Sequence, residues 1–322
     1  MHSIDLSLPF TRKLLLFNSY VSAMLTITLW TFPASFLLFL SLFSCSSSCT
    51  FTITNNCPYT IWPGTLAGSG TPQLPTTGFQ LDSGQSVRIS SVPGWSGRIW
   101  ARTGCTFDQS GVGSCQTGDC GGRLECDGNG ATPPTSLFEI TLGNGNEKDF
   151  YDVSIVDGYN LPLIAQPRGV YGACNATGCA SDINMGCPKE LQVVGGEAGR
   201  GEGVIACRSA CEAFGLDQYC CSGEFANPTT CRPSFYSSIF KRACPRAYSY
   251  AFDDGTSTFT CKAYYYDIIF CPNSSGAKRS DGPLSPPSIT DPGGGKAQEI
   301  VSSSNSLHPL PMLILLVLVL FF

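Results

Sequence analysis

Gly111-Val112-Gly113-Ser114-Cys115-Gln116-Thr117-Gly118-Asp119-Cys120-Gly121-Gly122-Arg123-Leu124-Glu125-Cys126 carries three cysteines and five glycines in sixteen residues. It belongs to a larger pattern. Of 18 cysteines in the chain, 16 lie between Cys57 and Cys271, with Cys45 and Cys49 upstream. An even count within one stretch fits an oxidising compartment and eight disulfides. Zinc is the competing use of so many thiols, but the only histidines are His2 and His308, so no imidazole co-ligand falls inside the stretch.

Both ends of the chain differ from this middle. Met24 to Phe43 is almost entirely apolar or small and runs into Ser46-Ser47-Ser48. Residues 1–48 therefore read as a secretory signal peptide starting at Met1 or Met24 and cut near 48–49, with a retained signal anchor as the alternative. A cut after Cys49 leaves no odd thiol. Met312 to Phe322 is eleven residues without a charge, fewer than the roughly 17 to 25 that cross a bilayer as a helix. Small residues Ser302-Ser303-Ser304-Asn305 precede it, after a Gly/Pro/Ser-rich linker over 273–304. Residues 305–322 are expected to be the propeptide of a glycosylphosphatidylinositol (GPI) signal, with an uncleaved tail or a vacuolar sorting tail as the alternatives. The folded domain is expected over 50–272.

That domain carries 20 acidic and 14 basic residues, a net charge of −6. That charge argues against nucleic-acid binding through bulk charge and against direct attack on anionic membranes of the kind a basic protein makes. Short alternating segments between Gly, Pro, Asn and Ser read as strands: Phe51 to Asn55, Thr60 to Trp62, Ser86 to Ser90, Arg98 to Thr103, Leu137 to Leu142 and Phe150 to Val156. Such regular short strands predict a sandwich or barrel. Cys207, Ala210, Cys211 and Phe214 fall at i, i+3, i+4 and i+7, which predicts one short helix over 207–214. Asn175-Ala176-Thr177 and Asn273-Ser274-Ser275 are glycosylation acceptors, whereas Asn227-Pro228-Thr229 is excluded by its proline.

In order, the opening segment resembles the signature of the thaumatin-like proteins, a family of plant defence proteins. Further segments carry the likeness across the whole domain: Asn56-Cys57-Pro58-Tyr59-Thr60-Ile61-Trp62, then Gly97 to Cys105, Asp152 to Pro162, and Phe270-Cys271-Pro272. The resemblance implies a mainly β fold: a flattened antiparallel β-sandwich, a disulfide-rich lobe holding a short helix, a small disulfide loop region, and a cleft between lobes. For the long sixteen-cysteine form it implies the pairs Cys57–Cys271, Cys105–Cys115, Cys120–Cys126, Cys174–Cys261, Cys179–Cys244, Cys187–Cys207, Cys211–Cys220 and Cys221–Cys231. No cofactor or metal is implied, and a monomer is expected.

Without histidine the domain has no Ser-His-Asp triad and no Cys-His pair. Carboxylate chemistry remains. Strand alternation turns Glu139 away from Phe138, Ile140 and Leu142, turns Asp152 away from Tyr151 and Val153, and puts Arg98 opposite Ile99 and Ala101. The family's acidic cleft consists of one Arg, one Glu and three Asp, which by motif fall on Arg98, Glu139, Asp152, Asp157 and either Asp253 or Asp254. Clustered carboxylates beside an arginine can pair a protonated acid with an ionised base, the requirement for splitting a glycosidic bond. On that reading Glu139 is the acid and Asp152 the base or nucleophile. The resemblance implies binding of β-1,3-glucan or another polysaccharide, with an antifungal role. Weak endo-β-1,3-glucanase activity and a protein-interaction or enzyme-inhibitor role are the alternatives. Tyr159, Tyr248, Tyr250 and Phe252 are candidate sugar-stacking rings, and Arg246, where the family commonly has Asp, makes the local field less negative if it faces the cleft.

Overall fold

The computed structural model describes residues 49–170, 174–196 and 203–272. The expected signal peptide, linker, C-terminal propeptide and Asn273 lie outside them. Along the chain run β1 (Thr50–Asn55), β2 (Trp62–Ala67), β3 (Ser86–Ser90), β4 (Ser96–Arg102), β5 (Thr106–Phe107), β6 (Gly113–Ser114) and β7 (Leu137–Thr141). They are followed by β8 (Asp149–Ser154), β9 (Leu163–Arg168), β10 (Thr177–Cys179), β11 (Gln192–Gly195) and β12 (Gly203–Cys207). Among the described residues the α-helical segments α1 (Ala210–Phe214), α2 (Asp217–Cys220), α3 (Phe235–Ala243) and α4 (Asp254–Ser257) come next, followed by β13 (Phe259–Cys261) and β14 (Tyr265–Phe270).

Two five-stranded sheets form the sandwich, in the orders β10-β9-β14-β1-β3 and β13-β8-β7-β4-β2. Their inner faces are apolar by strict alternation: Phe51 and Ile53 of β1, and Tyr266 and Ile268 of β14, face Ile99, Phe138, Tyr151 and Val153 of the other sheet. Rings interlock across the layers, with Phe51 and Phe138 centroids 6.4 Å apart and Tyr151 and Tyr266 5.2 Å apart at a steep angle.

The pairing is not wholly antiparallel. β1 runs parallel to β14, Thr50 opposite Tyr265 through Asn55 opposite Phe270. The strands therefore end side by side, where Cys57 bonds Cys271 across 214 residues of sequence. All eight disulfides join the pairs that the resemblance implies.

The short helix is real but starts later than the cysteine spacing predicts. Cys207 ends β12 and exchanges backbone hydrogen bonds with Tyr159. Ser209 caps the helix by accepting from the Glu212 N–H, and Gly215, at φ 64°, ends it in the left-handed region. The longest helix among the described residues, α3, has no counterpart among the predicted elements. Its start is a reciprocal cap in which serine hydroxyls at Ser234 and Ser237 each accept from the other's backbone N–H. Cys49 is buried just ahead of β1 with a free thiol, and its carbonyl accepts from the Ser91 N–H at 2.9 Å and hydroxyl at 3.1 Å. A cut after Cys49 would remove that acceptor. Among the described residues no helix is long and apolar enough to cross a membrane.

Candidate functional site

Three strands bring three of the expected residues into one row. Arg98 on β4 stands opposite Glu139 on β7, and Glu139 opposite Asp152 on β8, all on the outer face of the second sheet. Directly opposed residues keep their Cβ atoms about 4.5–5.5 Å apart, so opposite charges attract and like charges repel at close range. Arg98 Nε pairs with Glu139 Oε1 at 2.8 Å, while Asp152 Oδ1 is buried with no hydrogen-bond partner. The row opens into a groove of about 360 Å³ whose wall also includes Leu66, Gly68, Ser96, Thr141 and Phe150.

The electrostatics follow from that register. Burial, then the facing Glu139, push the Asp152 carboxyl up to about 8, with Arg98 opposing and Asp254 adding to the rise. Glu139 is also raised, by burial and less by Asp157, but Arg98 holds it back. Both carboxyls are thus raised, and the Arg98 guanidinium pairs with Glu139 rather than with Asp152.

Asp157 is half-buried near Glu139. The adjacent pair Asp253 and Asp254 divides. Asp253 Oδ2 takes an ion pair from Lys241 at 2.8 Å and hydrogen bonds from the Ser249 N–H at 3.0 Å and hydroxyl at 3.1 Å. Its carboxylate is turned into the scaffold. Asp254 accepts from the Tyr248 hydroxyl at 2.8 Å and adds to the negative field at Asp152. Asp253→Ala is expected to cost about 1–3 kcal/mol by removing the acceptor of Lys241 and of the Ser249 N–H and hydroxyl, although Lys241 keeps the Ala247 carbonyl and the Ser257 hydroxyl, and Asp254→Ala is expected to cost less; thermal unfolding of both variants checks this.

Other expectations resolve by packing. Tyr159 is fully buried with its hydroxyl donating to the Ser181 carbonyl, so it is core. Tyr248 is half-buried and bridges Asp254 and Thr258, while Tyr250 lines a small cavity beside Val156, Ser209 and Tyr219. Phe252 is half-buried. Arg246 lays its guanidinium 4.5 Å from the centroid of the Phe259 ring. Asn175 is exposed, but Thr177 of its acceptor triplet is buried and donates its hydroxyl to the Arg246 carbonyl at 2.8 Å.

One acidic group near the row was not anticipated. Glu212 on α1 pairs with Arg208 at 3.6 Å, and burial, reinforced by Asp157, raises it to about 7. The Arg208-x-x-x-Glu212 spacing on a predicted helix is the signal that would have found it.

A two-sheet sandwich stapled by eight disulfides, with a charged row across its outer face, defines the class of protein. The chain belongs to the thaumatin family, whose family model matches residues 55–272. It is 55% identical over 232 residues to pathogenesis-related thaumatin-like protein 3.5 of Cryptomeria japonica, covering 72% of this chain and 93% of that protein. It is 56% identical over 222 residues to pathogenesis-related protein 5 of Arabidopsis thaliana, covering 69% and 90%. It is also 48% identical over 232 residues to a protein of Prunus avium named glucan endo-1,3-beta-glucosidase, covering 71% and 93%.

Proposed function

We propose that the groove over Arg98, Glu139 and Asp152 binds β-1,3-glucan, and that the protein is a secreted, GPI-anchored defence protein of the cell surface or wall, antifungal and glycosylated at Asn175. The carrying observation is the cross-strand row, where the Arg98–Glu139 pair and the buried, unpartnered Oδ1 of Asp152 open onto one concave surface. Carboxylates are strong acceptors for sugar hydroxyls, and a net charge of −6 over 50–272 favours a neutral polymer over an anionic one.

Hydrolysis is the second reading. The raised Asp152 carboxyl facing an arginine-paired Glu139 supports it, as does the name of the Prunus avium relative. In that case Asp152 is the acid and Glu139 the base or nucleophile. Reducing-sugar release from soluble β-1,3-glucan, assayed beside binding for wild type and Glu139→Gln, separates the two. A hydrolase is expected to lose roughly 10²- to 10⁴-fold in rate in the variant. A binding protein releases nothing in either form, and release that survives Glu139→Gln removes Glu139 from the chemistry.

A further inference from the structure

Phe150 has no place in the acidic row, yet it stands in the same groove. On β8 the alternation buries Asp149, Tyr151 and Val153 and turns Phe150 to the side of Asp152, where it is 55% exposed. A lone exposed apolar residue is ordinary on a protein surface. Its setting is not, because it lines the 360 Å³ concavity together with Arg98, Glu139 and Asp152.

The register defines what surrounds the ring. Phe150 is opposite Thr141 on one side and Thr260 on the other, and Thr141 is opposite Ser96. The Ser96 and Thr141 hydroxyls are hydrogen-bonded to each other at 2.9 Å. A second row, Ser96-Thr141-Phe150-Thr260, therefore runs beside the charged row Arg98-Glu139-Asp152, offset by two residues or about 7 Å along the strands. One row offers hydroxyls and a flat apolar ring, the other carboxylates.

A pyranose has the matching two-sided chemistry: axial C–H bonds give it an apolar face, and equatorial hydroxyls ring its edge. We propose that Phe150 is the stacking platform of a sugar subsite in this groove. A neutral β-linked hexopyranose lays its C–H face on the Phe150 ring and turns its edge hydroxyls to Thr141 and Ser96 on one side and to Glu139 and Asp152 on the other. The proposal rests on the glucan reading of the groove and adds the residue that selects an all-equatorial ring.

The test uses the full-length chain from a eukaryotic secretory host, titrated with β-1,3-linked glucose hexasaccharide. Phe150→Ala is expected to bind roughly tenfold more weakly, Phe150→Tyr within about threefold of wild type, and Phe150→Leu as poorly as Ala, since leucine keeps apolar bulk without a flat face. The exposed position leaves thermal midpoints unchanged, which separates a lost platform from a lost fold. Phe150→Ala binding within twofold of wild type, or full rescue by leucine, overturns the subsite while the glucan reading stands. Absence of binding by wild type overturns the glucan reading and the subsite with it.

Discussion

Arg102→Met is expected to lower the thermal midpoint by roughly 6–20 °C, from a loss of about 3–5 kcal/mol at about 2–4 °C per kcal/mol. Arg102 is fully buried, with Asp119 and Glu125 acting on it as neighbouring charges. Its guanidinium donates to four backbone carbonyls: Trp62 at 3.0 Å, Pro63 at 3.2 Å, Arg123 at 2.7 Å and Leu124 at 2.7 Å. The first two belong to β2 and the last two to the loop closed by Cys120–Cys126, so one side chain ties the signature segment to the sheet edge. Burial lowers its pKa to about 10, and the cation persists at neutral pH. Methionine fills the space but leaves the four carbonyls without these donors, and stranding buried acceptors is the expensive case. Lysine is expected to recover only part of the loss, because one ammonium cannot reproduce the guanidinium fork. Calorimetry or circular dichroism of the three proteins checks this, and a midpoint within 2 °C of wild type for Arg102→Met would show that the loop does not depend on the guanidinium.

Asp152→Asn is expected to do the opposite at neutral pH and raise stability. The folded protein holds the Asp152 proton up to about pH 8, against an ordinary value of 3.8, chiefly through burial and the facing Glu139. Because the native state binds this proton more tightly than the unfolded chain, the associated stability is complete below pH 3.8 and drains away as the pH rises through about 8. An asparagine cannot ionise. It escapes that loss, a gain on the order of 1–3 kcal/mol at pH 7 that vanishes near pH 4. Thermal midpoints of the two proteins from pH 4 to 8 should converge at the acid end and diverge towards neutrality. Parallel curves, or a variant weaker at pH 7, would mean that Asp152 is ionised and partnered in the fold.

Both effects show where sequence reading reached and where it stopped. Period-two alternation was enough to turn Arg98, Glu139 and Asp152 outwards, and the sixteen cysteines with their flanking motifs carried the disulfide framework. Alternation says nothing about register, however, and the pairing of Glu139 with Asp152 arises from how β7 and β8 align, which decides where the proton sits. Arg102 has the parity of Arg98 and reads as equally exposed; it is buried because a loop from 18 to 22 residues downstream folds over it. Asp253 and Asp254 are adjacent at the start of α4, and their roles separate through contacts that adjacency does not reveal, Lys241 on α3, a helix absent from the sequence reading, and Ser249 holding Asp253 while Tyr248 donates to Asp254. Phe150 shares the parity of Asp152 and was legible as outward-facing, but its company in the groove depends on three strands at once.

The charged row of Arg98, Glu139 and Asp152 is expected to hold a neutral glucan. Co-sedimentation of the full-length protein with insoluble β-1,3-glucan, with cellulose as the control, tests it most directly. The protein is expected in the glucan pellet alone, released by soluble β-1,3-glucan and retained in 0.5 M salt. Protein that stays in the supernatant, or pellets equally with cellulose, would contradict the account.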